Sequence, residues 1–213
     1  MKIRTLNQLD DCLAEDLAWR RKELTSIANF VRASRDKSQP MAIRAGMVLL
    51  YAHWEGFVKW GAECYLNFVS MQGLAFDQLG HSFFALCTRR KLEQFTSSNK
   101  SSIRTELISF MRGDLSGRAH VPHKDVIDTE SNLSSSVLKE ILHAVGLDYS
   151  PYALKEKLID RDLLKARNEI AHGQYLAVDS SKFENLYEEV KNLLILFHNQ
   201  VSNAATVGSF RRA

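Results

Sequence analysis

At 213 residues, with 45% hydrophobic and 25% charged side chains, the chain has material for one sizeable core and an ordinary solvated surface. Three prolines and ten glycines argue against a loop-rich all-β fold, and a net charge of +3 permits a nucleic-acid partner without requiring one. The three cysteines, Cys12, Cys64 and Cys87, are too far apart for zinc-ligand spacing and read as buried thiols of a reducing compartment. Lys2 and Arg4 are followed by no apolar run, and the longest uncharged apolar run, from Ala45 to Ala52, falls far short of a membrane span. A cytoplasmic protein with no membrane partner is expected.

Thr5 and Gln8 have capping-box spacing, and from there apolar residues recur at helical intervals through Leu9, Leu13, Leu17, Leu24, Ile27 and Val31. This predicts a first helix over residues 5–34, closed by a polar turn ending at Pro40. A second helix, from Met41 to Ser70, is apolar nearly all round and is expected to be central. Its polar exceptions Arg44, Tyr51 and Glu55 fall within about 40° of one another at 100° per residue, with Lys59 a little further round. They form either an internal ion-pair network or a stripe that orients a site on a neighbouring helix. Gly56 and Gly61 inside this helix point to another helix packed closely against it.

A shorter apolar pattern runs from Phe76 to Phe95 and contains the basic cluster Arg89, Arg90 and Lys91. A loop follows over residues 96–102, then a helix over residues 103–111 that carries Arg104. Between residues 81 and 120 there are seven Lys or Arg against three Asp or Glu. This is either a solvated face or a landing surface for a phosphate backbone. Residues 113–136 look least ordered and either separate two halves of the core or cover the site as a flap. His120 and His123 lie near Asp125 and Asp128, but without a recognised metal-binding frame, so no metal or cofactor is expected. A short helix from Val137 to Val145 ends at Gly146, and Ser150 with Pro151 opens another. A capping box at Ser181 and Glu184 starts the last helix, which fades near Ser202. Residues 204–213 are expected to form a flexible tail.

The reactive-looking groups concentrate between Leu163 and Gly173. Arg167, Asn168, Glu169 and His172 fall within six residues, held in place by Leu163, Leu164, Ala166, Ile170 and Ala171. Polar groups set against apolar packing need partners or a ligand. At five residues apart, Arg167 and His172 would stand about 140° from each other on a regular helix. Either the helix relaxes at its end, where Gly173 suits the position just beyond it, or a second chain completes the site. The bland alternative is that both residues simply favour the negative end of the helix dipole. The chain contains no glycine-rich phosphate loop, dinucleotide fingerprint, Gly-x-Ser-x-Gly elbow or HExxH, which removes the enzyme classes that announce themselves by such motifs.

The run Arg167-Asn168-Glu169-Ile170-Ala171-His172-Gly173 resembles the HEPN superfamily, marked by an arginine, four to six intervening residues and a histidine. Its RNxIAHG form looks like a bacterial branch of HEPN nucleases associated with toxin–antitoxin and phage-defence loci. The stretch Ala52-His53-Trp54-Glu55-Gly56 is similar to an aromatic-Glu-Gly element of the same branch. The resemblance implies an all-α, up-and-down helical bundle over residues 1–203, with residues 96–136 as a loop-rich insertion. It also implies a homodimer in which the motifs of two chains face one another, and a possible antitoxin protein partner.

The activity implied is metal-independent cleavage of RNA, in which the 2′-hydroxyl is the nucleophile and leaves a 2′,3′-cyclic phosphate and a 5′-hydroxyl. A histidine exchanges protons near neutral pH, so one His172 would act as base and its mate as acid. Arg167 would supply a permanent positive fork for the phosphate and its growing charge. Asn168 would hold the arginine, the histidine or a phosphate oxygen, and Glu55 and Tyr51 would orient Arg167, with Arg44 and Glu169 supporting. Two alternatives stay open: a non-catalytic HEPN-like module that binds RNA, a nucleotide or a protein, and a purely structural dimerisation protein with an internal Arg167–Glu55 ion pair.

Overall fold

The computed structural model describes residues 2–212, and among them there is no β-sheet, only two isolated antiparallel bridges, Ala75 with Arg118 and Leu79 with Arg211. The frame is three long helices: α1 (Leu6–Ala33), α2 (Gln39–Met71) and α7 (Ser180–Val207). Between them in the chain come α3 (His81–Ser97), α4 (Ser101–Arg112), α5 (Ser135–Ala144) and the short α6 (Ala166–Ala171). None of these helices is long and apolar enough to cross a membrane. The architecture is the all-α up-and-down bundle expected.

Local sequence explains where the long helices begin. Thr5 accepts the Gln8 N–H at 3.2 Å and so caps α1, while the Gln8 side chain reaches back to the Arg4 N–H at 2.7 Å. Pro40 lies in the first turn of α2, where its missing N–H costs nothing. The cap of α7 is not Ser181. Asp179 accepts the Lys182 N–H at 2.7 Å, and Glu184 turns away to form a two-pronged ion pair with Arg32. Ser150 likewise does not cap an α-helix. Asp148 accepts its N–H at 2.9 Å, and residues Ser150–Lys155 wind as a 3-10 turn.

Cross-contacts set the directions. Arg32 near the end of α1 meets Glu184 near the start of α7, and Asp10 near the start of α1 accepts a hydrogen bond from Ser202, so these helices are antiparallel. A Cβ added at Gly61 would lie 2.8 Å from Phe197, and one added at Gly46 would lie 2.5 Å from Phe183, so α2 and α7 run the same way at close approach. Gly56 plays the same part against α1, where the Arg20 guanidinium sits 2.8 Å from the place of a Cβ. The closeness expected at Gly56 and Gly61 is therefore present, and two different helices exploit it. Trp54, Tyr51, Tyr65 and Phe57 on α2 are all buried in the common core.

The end of the chain departs from expectation. Helix α7 continues through Val207 to a left-handed Gly208, and Phe210 is only 3% exposed. Its ring packs edge-on against Tyr65, Phe68 and Phe83, while its carbonyl accepts the Gly80 N–H at 2.8 Å. A single aromatic anchor has no periodicity to read in sequence, yet it docks the segment that was expected to be flexible. Residues 113–134 are irregular but packed, with Ala119, Val121, Ile127 and Leu133 buried.

His53 on α2 is buried against α1. Its Nε2 lies 2.9 Å from a Glu23 carboxylate oxygen. Burial holds the imidazole below its ordinary pKa of 6.5, with Glu23 opposing that shift, Arg20 reinforcing it and Asp16 opposing it. The folded state thus favours the neutral ring, and unfolding takes up a proton once the pH falls below about 6.5. The contribution is complete above that value and is lost as the pH falls towards the folded-state pKa. Urea unfolding is expected to show stability declining between about pH 7 and about pH 5.5, with a shallower decline for His53→Gln.

Candidate functional site

The motif helix is built in two windings. Leu158–Lys165 forms a π-helix that buries Ile159 and Leu163, and it continues directly into α6. Such wider turns shift every later side chain around the axis, and they recur at functional sites. At the other end, the Gly173 N–H bonds to the Ile170 carbonyl at 3.1 Å and the Gln174 N–H to the Glu169 carbonyl at 2.9 Å. With Gly173 left-handed at φ 73°, this is a Schellman closure, the role expected of that glycine. His172 therefore sits at the helix exit with its side chain exposed.

Arg167 turns inward, toward α2. Its guanidinium carbon lies 4.3 Å from the centre of the Tyr51 ring, and its Nη2 lies 3.8 Å from a Glu55 oxygen. The same Nη2 donates to the Ser131 carbonyl at 3.0 Å. Ser131 belongs to a tight turn in which the Asn132 N–H bonds to the Thr129 carbonyl at 2.8 Å. Both central residues of that turn, Glu130 and Ser131, are left-handed (φ 52° and 60°). One residue on, the Leu133 N–H donates to the Tyr51 hydroxyl at 2.6 Å. Burial, and then the Glu55 charge, push the Tyr51 phenol above its ordinary range, so it stays a neutral hydroxyl. Tyr51 thus holds the arginine on its face and the 129–133 strap at its tip.

His172 faces elsewhere. It lines a hollow of about 370 Å³ together with Asp160, Lys165, Asn168, Glu169 and Gln174. Asp160 anchors the wall by accepting both the N–H and the hydroxyl of Ser135 at 2.6 Å, and Glu169 lies 3.8 Å from the Lys165 amine. Among the described residues no side chain or backbone group is bonded to the His172 ring. Arg167 does not line this hollow. The structure thus sets Arg167 against Tyr51 and Glu55, and His172 beside Asn168 and Glu169 at a hollow that Arg167 does not line.

Arg44, on the same stripe of α2, does not touch Arg167; its Nη1 donates to the Gln174 carbonyl at 2.9 Å and so ties the loop after His172 to the bundle. Arg89, Arg90, Lys91 and Arg104 lie on α3 and α4, which pack on one another, whereas α6 packs on α2. Arg89 pairs with Glu93 at 2.8 Å, and Lys91 pairs with Glu106 at 3.3 Å, so part of that positive surface is neutralised locally. Sequence reading missed Ser131, because its contact to Arg167 runs through a backbone carbonyl that carries no residue signature. It also missed Asp160 and Gln174, polar residues outside the Arg167–His172 interval.

The all-α, up-and-down bundle is consistent with a HEPN-like fold. The chain belongs to the RiboL-PSP-HEPN family, whose model matches residues 15–203. No curated protein and no solved structure matches it.

Removing the Tyr51 hydroxyl leaves the buried Leu133 N–H without an acceptor. Tyr51→Phe is expected to cost about 1–3 kcal/mol in urea unfolding and to raise amide hydrogen exchange selectively at residues 129–133. Unchanged exchange there would remove the hydroxyl's role as the strap's anchor.

Proposed function

We propose that the protein is a metal-independent endoribonuclease, of the RNxIAHG type found with toxin–antitoxin and phage-defence loci. The observation that carries this reading is the exposed His172 ring. It is the ionisable group of the motif left without a protein partner among the described residues, and it stands in a hollow beside Asn168 and Gln174. Family membership is consistent with RNA chemistry. RNA brings its own nucleophile, so the protein has to supply proton transfer and charge stabilisation only.

On this reading His172 removes the 2′-hydroxyl proton, the oxygen attacks the adjacent phosphorus, and the 5′-oxygen leaves with a proton from the His172 of a second copy. A cyclic phosphate and a 5′-hydroxyl result. Asn168, one turn before His172 on the same wall, orients the phosphate. Arg167 spends one Nη2 hydrogen on the Ser131 carbonyl, which leaves other N–H donors of its fork for a phosphate oxygen. The separation of Arg167 from the His172 hollow supports a composite site in a homodimer, where each chain's arginine serves a cleft shared with the other's histidine. An antitoxin covering that cleft would be the partner.

One observation favours a second reading, a non-catalytic module that binds RNA, a nucleotide or a partner protein. Arg167 is already engaged by Tyr51, Glu55 and Ser131, as a residue with a structural task would be.

The test is cleavage of mixed cellular RNA in EDTA by the parent, His172→Ala and Arg167→Ala, with circular dichroism confirming the fold of each. The parent is expected to leave 2′,3′-cyclic phosphate ends. His172→Ala should lose about 100-fold or more in rate, the usual scale of a missing general acid or base. Cleavage by His172→Ala at the parental rate would remove the proposed catalysis, and binding without cleavage by any form would select the module.

A further inference from the structure

The loop leaving the motif carries an aromatic side chain that the mechanism does not use. Tyr175 is 80% exposed. On one side the Arg44 guanidinium lies 5.9 Å from its ring centre. The same Arg44 is fixed by its hydrogen bond to the Gln174 carbonyl, so the loop and the cation are ordered together before any ligand arrives. Between His172 and Tyr175, Gly173 adds no bulk, and the space where its Cβ would stand is open. Tyr175 lies three positions after His172, a backbone reach of at most about 11 Å.

We propose that Tyr175 and Arg44 form a nucleobase subsite, in which the free face of the tyrosine stacks on an unpaired base of single-stranded RNA next to the phosphate held at the His172 hollow. Three features select this ligand. A flat exposed ring offers a π-face that every base can use. The fixed cation behind it attracts the polyanionic strand and strengthens stacking. The hollow next door offers Lys165, Asn168 and Gln174 as hydrogen-bonding partners for a phosphate or ribose, beside Asp160, Glu169 and Leu164. The subsite requires an extruded base, so it predicts preference for single strands and loops over duplex. It rests on the reading of the protein as acting on RNA, but it does not require turnover.

The test measures binding of a short mixed-sequence 2′-O-methyl single strand, which lacks the nucleophile and is not cut, to the full chain by fluorescence anisotropy. Matched strands carry one abasic position moved along the sequence. Tyr175→Phe is expected to bind like the parent, and Tyr175→Ala to bind about tenfold more weakly. One abasic position should weaken the parent by a similar factor and leave Tyr175→Ala unaffected. This pattern without any cleavage of ordinary RNA would keep the subsite and reject the nuclease. Cleavage by the parent with Tyr175→Ala binding unchanged would keep the nuclease and overturn the subsite. Equal affinity for duplex and single strand would also overturn it, as would a shift of Tyr175→Ala to monomer in sedimentation, which would make the ring a contact between copies.

Discussion

The contact on which the motif depends is the Arg167 guanidinium lying on the face of Tyr51. Tyr51 is fully buried on a helix that is itself covered on nearly every side, so its ring is as fixed as any surface in the molecule. A guanidinium placed on such a ring loses little water at its edges while gaining a charged face-to-quadrupole contact. Glu55, one turn further along α2, adds a countercharge, and the Ser131 carbonyl takes one N–H. The result is an arginine whose position is set by the core of the bundle and not by the short helix that carries it.

From that contact the rest of the site follows. The π-wound segment before α6 places Arg167 against α2, and the Schellman closure after it lets the chain leave at His172 with the imidazole in solvent. The strap at residues 129–133 is held by the same tyrosine from its other end and carries two left-handed residues in its turn. Backbone of that kind persists only where the surroundings over-determine it. Here the surroundings are Tyr51 and Arg167. Arg44 completes the frame by fastening the loop after the motif to the start of α2.

Much of this was legible in the sequence, for identifiable reasons. Thr5 announced its cap because a short side-chain oxygen three residues before an N–H has few other uses, and Gly56 and Gly61 announced close packing because glycine in a helix is otherwise a loss. The 140° between Arg167 and His172 was legible from spacing alone, and the structure shows the two residues facing different surroundings. The stripe of Tyr51 and Glu55 was legible as a pair of alternatives, an ion-pair network or support for the motif, and in the structure both residues contact Arg167. What escaped was structure made by single residues or by backbone: Phe210 docking the chain end, the Ser131 carbonyl, and Asp179 outcompeting Ser181 as a cap. Over residues 81–120 the structure adds only that Arg89 and Lys91 pair with Glu93 and Glu106, two of the three acidic residues of that stretch.

The central claim is that Arg167 and His172 act in one cleft only when two copies meet. Mixing the parent with an inactive variant tests it most directly. Parent and His172→Ala proteins would be mixed under conditions that exchange subunits, and RNA cleavage followed as the variant is added in excess. A site that takes one histidine as base and its mate as acid predicts that activity falls with the share of mixed dimers, since such a dimer keeps a single histidine at the shared cleft. If the parent cleaves RNA and its activity per parental subunit is unchanged despite proven exchange, each chain builds its own site and the account is contradicted.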